Sequence, residues 1–154
     1  MPTHAASHTQ RSTHRRQRVR RIRILLVDDH ILVRMGLRKD LERYADIELV
    51  GEATDGEEAV KLTDQLKPDV VVMDINMPRM NGIEATGRIM REHPHLIIIG
   101  LSFDVRKRNR EAMSEAGAHM LLDKGAARGQ LYHAIYGAVG KSMDARSPGH
   151  YTVA

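Results

Sequence analysis

The sequence contains no cysteine and no tryptophan, and Phe103 is its only phenylalanine. The absence of cysteine excludes disulfides and any chemistry that needs a thiol. No stretch reaches the run of about 18 apolar residues that a membrane-spanning helix needs. Residues 1–21 contain no apolar segment typical of a secretory leader. We therefore expect a cytoplasmic protein with no contact to a membrane, and the 154 residues suit one domain with tails.

Positive charge is concentrated at the N-terminus. Seven of the 24 Lys and Arg residues lie within residues 1–23, which contain no acidic residue, so 17 basic residues remain in the rest of the chain beside all 20 acidic ones. This distribution predicts a mildly acidic body with a basic, disordered arm at residues 1–21. An alternative role for this Arg-rich arm is non-specific contact with the phosphates of nucleic acid.

Short apolar runs alternate five times with patterns of helical periodicity. The predicted strands are residues 22–29, 47–53, 70–74, 96–102 and 118–124, and the predicted helices are 31–44, 55–66, 81–93, 104–117 and 127–140. This alternation predicts a doubly wound, five-stranded parallel sheet with helices on both faces. The domain is predicted to span residues 22–141, followed by a polar tail at 142–154. In the first helix, Leu32, Met35, Leu37 and Leu41 are predicted to share one face.

Polar side chains end four of the predicted strands: Asp28 and Asp29, Asp74, Ser102 and Lys124. Ligands of an open parallel sheet bind at the carboxyl ends of the strands, so these side chains are predicted to meet on one rim. Clustered carboxylates raise one another's pKa values, and Lys124 or a hard cation such as Mg²⁺ would relieve the repulsion. Such a set suits phosphoryl transfer with one aspartate as the nucleophile. Asp74, on the central strand, is favoured for that role.

Four segments carry a family resemblance: "LLVDDH" (25–30), "VVMDINMPRMNGIEA" (71–85), "LS" (101–102) and "DKG" (123–125). With these segments in this order and at these spacings, residues 22–140 resemble the receiver domain of two-component response regulators. The first and third helices most resemble the branch that usually carries a C-terminal helix-turn-helix of the LuxR/NarL type. The resemblance implies a flavodoxin-like sheet with strand order 2-1-3-4-5.

The resemblance also implies a phosphorelay switch. Asp74 would accept a phosphoryl group from the phosphohistidine of a histidine kinase or a histidine phosphotransfer protein. Lys124 would pair with the phosphoryl oxygens, and Ser102 would donate a hydrogen bond to one of them. Such a switch catalyses only its own phosphorylation and dephosphorylation and is not an enzyme with other substrates. Homodimer formation is a further expectation.

A magnesium ion is the cofactor that the resemblance implies. Its ligands would be the carboxylates of Asp28, Asp29 and Asp74 and the backbone carbonyl of Asn76. An alternative class, an aspartyl-phosphate phosphatase, usually carries a second aspartate two residues after its nucleophile. The corresponding residue here is Asn76, which favours the switch.

Two positions and the chain end depart from the usual receiver pattern. Receivers usually carry an aromatic residue three positions before the lysine, and its rotamer follows activation; here that residue is Leu121. Asp123 replaces an apolar residue and is expected to point to solvent. The 154 residues end where a linker to a DNA-binding domain would begin. We expect a stand-alone receiver, with a truncated transcriptional regulator lacking its DNA-binding domain as the alternative.

Overall fold

The structure is a computed structural model of the chain, and it describes residues 20–144. Most of the predicted arm (1–21) and of the predicted tail (142–154) lies outside these residues. The strands are β1 (Ile22–Val27), β2 (Ile47–Ala53), β3 (Val70–Asp74), β4 (Ile97–Ser102) and β5 (Met120–Asp123). The helices are α1 (Ile31–Leu41), α2 (Gly56–Leu66), α3 (Gly82–Glu92), α4 (Lys107–Ala116) and α5 (Ala127–Asp144).

The five strands form one parallel sheet with the order β2-β1-β3-β4-β5. This order confirms the predicted doubly wound, flavodoxin-like fold. Every residue of β3 and of β4 is buried, as expected for strands that are covered by helices on both faces. The strand order reverses between β1 and β3, which places the carboxyl ends of these two strands at the point where ligands of such sheets bind.

Alternate side chains of the strands pack into two hydrophobic cores, one on each face of the sheet. On one face, Leu25 and Val27 of β1 pack in the core that also contains residues of α2, α3 and α4. On the other face, Ile24 and Leu26 pack in the core that contains residues of α1 and α5. This two-residue periodicity follows from the pleat of a β-strand, whose successive side chains point to opposite faces. It leaves the carboxyl ends of the strands as a polar rim between two apolar layers.

The predicted apolar face of α1 was only half correct. Leu37 and Leu41 are buried, but Leu32 and Met35 are 80% and 51% exposed. An α-helix turns by about 100° per residue, so Leu32 and Met35 lie about 140° and 160° from Leu37 around the helix. Four apolar residues in one short segment therefore do not share a face, and α1 presents an apolar surface to solvent beside the carboxyl rim.

Local sequence signals fix several helix ends. Asp55 caps α2, because its Oδ1 accepts a hydrogen bond from the Glu58 N–H at 2.9 Å. The Glu58 carboxylate turns back to the N–H of Thr54, one residue earlier than in an ordinary capping box. Gly117 ends α4 with φ of 108°, a conformation that favours glycine.

The ends of the domain differ slightly from the prediction. α5 continues to Asp144, four residues beyond the predicted end at 140. Arg20 and Arg21, assigned to the arm, contact the body of the domain. Arg20 forms an ion pair with Asp69 at 2.7 Å, and the Arg21 guanidinium donates to the backbone carbonyl of Ile47. None of the helices within residues 20–144 is long and apolar enough to cross a bilayer.

Candidate functional site

The carboxyl ends of β1, β3 and β5 bring three charged groups into direct contact. Lys124 follows β5, and its Nζ lies 2.9 Å from Asp28 Oδ2 and 3.0 Å from Asp74 Oδ2. All three side chains are almost completely buried. One ammonium thus stands between two carboxylates, and this group is the centre of the pocket that we call the acidic pocket (Asp28, Asp29, Asp74 and Lys124).

The electrostatics of the acidic pocket oppose ionisation of its central carboxylate. Burial raises the pKa of Asp74 to about 7, and the neighbouring Asp28 carboxylate adds to the increase. The Lys124 ammonium and the N–H of Asn76, which donates to Asp74 Oδ1 at 3.1 Å, act in the opposite direction. The Oδ2 atoms of Asp28 and Asp74 are buried and have no directed hydrogen bond, although both lie close to Lys124. These oxygens are therefore suited to bind a cation.

Asp29 and His30 form the solvent-facing side of the pocket. The Asp29 side chain is 30% exposed, whereas that of Asp28 is completely buried. His30 follows them, and its Nδ1 lies 3.1 Å from an oxygen of each. The same nitrogen lies 3.7 Å from Asp74 Oδ2 and 3.0 Å from Lys124 Nζ. The imidazole therefore contacts every charged group of the pocket.

Ser102 is the last residue of β4. In the sheet Asp74 pairs with Leu101, so Ser102 lies one residue further along the neighbouring strand. Its side chain is buried, and its Oγ accepts a hydrogen bond from the N–H of Asp104 at 2.9 Å. This contact holds the loop between β4 and α4 and delays the start of α4 to Lys107, three residues after the predicted start.

Phe103 extends from the same loop and is 63% exposed. Its ring centroid lies 5.3 Å from Lys124 Nζ and 6.4 Å from the centroid of the His30 ring. A cation at this distance from an aromatic face is attracted to it. The one phenylalanine of the chain therefore lies beside two residues that contact the acidic pocket, Lys124 and His30.

The loop after Asp74 is fixed against α2. Arg79 has φ of 66°, which is uncommon for a residue with a side chain, and its guanidinium lies 2.8 Å from Asp55. The Gly56 N–H donates to the carbonyl of Met80. At Gly82, a Cβ atom would lie 2.0 Å from the carbonyl oxygen of Asp74, which leaves no space for any other residue. The loop that carries the predicted ligand Asn76 is thus held in one path.

The pocket fits a small, hard cation. Ligand atoms of Asp28, Asp29, His30 and Asp74 all lie within 4.8 Å of one another. Carboxylate oxygens are the ligands that Mg²⁺ prefers, and two buried ones, Asp28 Oδ2 and Asp74 Oδ2, lie here beside the Lys124 ammonium. Asn76 is exposed beside Asp74, and the role of its carbonyl as a ligand stays a prediction.

The two departures from the receiver pattern are well defined in space. Leu121 is buried and packs in the core with Met113, so it is a fixed part of the interior. Asp123 is exposed, as expected, and accepts a hydrogen bond from the N–H of Gly125 at 2.7 Å. It therefore does not compete for Lys124.

Sequence reasoning missed three residues of the site. It assigned no role to His30, although a histidine directly after two aspartates is a signal that could have been used. It gave none to Phe103, whose place follows only from the path of the loop after β4. The ion pair of Arg79 with Asp55 joins two loops that are 24 residues apart, and no local pattern indicates it.

Fold and site together define a doubly wound α/β domain with an acidic pocket on its carboxyl rim. The sequence profile of the response regulator receiver domain matches residues 24–136. The chain therefore belongs to the response regulator receiver domain family of two-component systems, and receiver domains are signalling domains that histidine kinases phosphorylate.

Individual relatives agree with this assignment. The transcriptional regulatory protein LiaR of Bacillus subtilis is 45% identical over 117 residues, which are 76% of this chain and 56% of LiaR. A solved LuxR-family two-component response regulator from Aurantimonas is 35% identical, with a TM-score of 0.75 over 79% of this chain and 86% of that one. A chain of the CheX–CheY–BeF₃–Mg²⁺ complex from Borrelia burgdorferi is 25% identical, with a TM-score of 0.71 over 77% of this chain and 89% of that one. The chain spans about half the length of the curated relatives it matches.

Proposed function

We propose that residues 22–141 form a phosphorylation-dependent switch in which Asp74 accepts a phosphoryl group from the phosphohistidine of a partner kinase or phosphotransfer protein. The observation that carries this proposal is the contact of Lys124 Nζ with both Asp28 and Asp74, at 2.9 and 3.0 Å, on the carboxyl rim of the sheet. An ammonium so placed can neutralise charge on a group attached to Asp74.

Asp74 is the nucleophile in this proposal. One of its carboxylate oxygens forms a bond to phosphorus while the P–N bond of the phosphohistidine breaks, and the leaving imidazole keeps the electron pair of that bond. Burial and the nearby Asp28 carboxylate destabilise the ionised form of Asp74. Transfer of its charge to the phosphoryl oxygens, which Lys124 can contact, relieves part of this unfavourable energy.

Lys124 and Ser102 would recognise the phosphoryl group. Lys124 lies at hydrogen-bond distance from Asp74 already, so it needs only a small movement to reach an attached phosphoryl oxygen. Ser102 Oγ accepts the N–H of Asp104, and its own proton is available for donation. Donation to the phosphoryl group would draw the β4–α4 loop toward Asp74, and this movement is the proposed conformational output.

Asp28, Asp29, Asp74 and the backbone carbonyl of Asn76 would hold Mg²⁺. When bound, Mg²⁺ supplies positive charge that offsets the carboxylates and the phosphoryl oxygens. The buried oxygens of Asp28 and Asp74 that have no directed hydrogen bond support this assignment. So does the similarity to a chain of the Borrelia CheX–CheY complex, which contains BeF₃ and Mg²⁺.

The experiment is incubation of the protein with Mg²⁺ and a small acyl phosphate, followed by intact-mass analysis. The expected result is the addition of one phosphoryl group that is lost at alkaline pH, and Asp74→Asn should abolish it. Asp123→Asn is the matched control, because Asp123 also ends a strand on this rim but is exposed and bound to a loop N–H. It should be labelled like the wild type.

Two outcomes would contradict the proposal. Labelling that survives Asp74→Asn would place the acceptor elsewhere, and repeated turnover of phosphate esters would indicate a phosphatase. If the β4–α4 loop exchanges its amide hydrogens equally in the labelled and unlabelled chains, phosphorylation does not change the loop. That result would contradict the switch but not the phosphorylation.

A further inference from the structure

The imidazole of His30 lies where a ligand of a bound metal ion would lie, although the proposed function gives His30 no role. Its Nδ1 lies 3.1 Å from Asp28 Oδ1, 3.1 Å from Asp29 Oδ1 and 3.7 Å from Asp74 Oδ2. A cation with bonds of about 2.1 Å holds neighbouring ligand atoms roughly 3.0 Å apart in an octahedral site and roughly 3.4 Å apart in a tetrahedral one. The distances from Nδ1 to the three oxygens fall around these values.

The local backbone holds the imidazole in this position. His30 is the N-cap residue of α1, with an extended backbone, and its N–H donates to Asp28 Oδ1 at 2.8 Å. Arg34, one turn into α1, donates to the Asp28 carbonyl at 2.6 Å. These two hydrogen bonds fix the turn from β1 into α1. The ring is half-exposed and enters the pocket from the solvent side.

The hydrogen-bond contacts of Nδ1 conflict with one another. The Lys124 ammonium, at 3.0 Å, can only donate, so Nδ1 must accept from it. Asp28 Oδ1, at 3.1 Å, can only accept, so Nδ1 would have to donate to it. One ring nitrogen cannot do both. A lone pair on Nδ1 and the carboxylate oxygens can instead bind a single cation together.

We propose that His30 Nδ1 is a side-chain ligand of the cation in the acidic pocket, and that it gives this pocket a preference for first-row transition ions such as Zn²⁺. The proposal rests on the proposed function in so far as both use the same pocket. Two further observations carry it. The ligand atoms of the four residues converge within 4.8 Å. The buried Asp74 Oδ2, which Lys124 Nζ approaches at 3.0 Å without a directed hydrogen bond, lies 3.7 Å from Nδ1.

The chemistry of the imidazole gives the expected selectivity. Mg²⁺ binds oxygen ligands and keeps several waters, so it gains little from a nitrogen ligand. Zn²⁺ and Ni²⁺ bind imidazole nitrogen well. His30 therefore stabilises the Zn²⁺ complex and contributes little to the Mg²⁺ complex, so that the two ions would compete for one pocket through different ligand sets.

The test is calorimetric titration of the full chain with ZnCl₂ and, separately, with MgCl₂. The variants are His30→Ala and the matched control His133→Ala, which removes an exposed histidine of α5. Histidines outside residues 20–144 are common to all variants, and Asp28→Asn supplies the background of Zn²⁺ binding elsewhere in the chain. We expect His30→Ala to weaken pocket binding of Zn²⁺ by about 10-fold or more, since loss of even a group that orients a ligand has that effect. Binding of Mg²⁺ should change little.

A spectroscopic readout separates ligation from a structural effect. In ¹⁵N NMR of the histidine side chains, Zn²⁺ should shift the Nδ1 resonance of His30, and excess Mg²⁺ should reverse that shift. A Zn²⁺ affinity that is equal in His30→Ala and His133→Ala, or an Nδ1 resonance unchanged by Zn²⁺, overturns the inference. If Asp28→Asn changes the binding of neither Mg²⁺ nor Zn²⁺, the cation pocket of the proposed function is contradicted as well. If only Zn²⁺ binding is insensitive to His30, the proposed function stands.

Discussion

Asp74→Asn should stabilise the domain at alkaline pH when Mg²⁺ is absent. In the folded protein burial and the Asp28 carboxylate raise the pKa of Asp74 from 3.8 to about 7. Between these two values the folded chain holds a proton that the unfolded chain has lost, so stability falls as the pH rises from about 4 to about 7. Asparagine is neutral throughout and nearly isosteric. The difference in the free energy of unfolding between variant and wild type therefore increases up to about pH 7 and is nearly constant above it.

The magnitude follows from the size of the pKa shift. Three pKa units, at about 1.4 kcal/mol each, give an upper bound of about 4 kcal/mol for the unfavourable energy of the ionised carboxylate. The variant also loses the Asp74 contact with Lys124 at 3.0 Å, which opposes the gain. We expect a net gain of about 2 kcal/mol at pH 8, or roughly 5–10 °C in Tm for a domain of this size.

The assay is thermal unfolding followed by circular dichroism in a chelator, at pH 5 and at pH 8. Glu48→Gln is the control, because Glu48 lies on the exposed side of β2 and its removal should leave the difference between the two pH values unchanged. Addition of Mg²⁺ at pH 8 should stabilise the wild type more than Asp74→Asn, because the ion binds only the folded state. Equal Tm values for variant and wild type at pH 8, or a gap that does not change with pH, would contradict this explanation.

Three further changes have defined outcomes in urea unfolding. Lys124→Gln leaves two buried carboxylates without their ammonium and should lower the free energy of unfolding by about 3–5 kcal/mol at pH 8. Lys107→Gln removes an exposed partner of an i,i+4 pair and should lower it by less than about 0.5 kcal/mol. Similar losses in the two variants would show that the buried contacts are unimportant. Gly82→Ala places a Cβ against a backbone oxygen at 2.0 Å and should cost about 1–3 kcal/mol, while Gly129→Ala, with no atom within 4 Å, should be neutral or stabilising. Asp55→Ala removes the cap of α2 and the partner of a loop arginine, and should cost about 1–2 kcal/mol; an unchanged midpoint would argue against the cap.

The regular part of the fold was predictable because each strand or helix and the residues that end it lie next to each other in the sequence. β2 and β3 have the predicted bounds, and Pro68 follows closely after α2 while Pro94 follows α3. The face of α1 was not predictable from its apolar content, since Leu32 and Met35 lie opposite the buried side. The number of apolar residues in a helix thus does not distinguish the buried ones from the exposed ones.

The acidic pocket was predictable in its members but not in its contacts. Strand ends on one rim bring Asp28, Asp74 and Lys124 together whatever the loops do, because the sheet itself sets their positions. His30 and Phe103 reach the pocket through the turn into α1 and the loop after β4. Their places depend on hydrogen bonds from a backbone N–H to a side chain two residues earlier, that of His30 to Asp28 and that of Asp104 to Ser102.

The proposed switch depends above all on Asp74 as the residue that receives the phosphoryl group. This role is tested most directly by labelling the wild-type chain with a small acyl phosphate and Mg²⁺, reducing the product with borohydride, and sequencing its peptides by tandem mass spectrometry. Reduction converts an aspartyl phosphate to homoserine, so we expect homoserine at position 74 and at no other aspartate. Homoserine at position 28, 29 or 123, or labelled protein without homoserine at 74, would contradict the proposal.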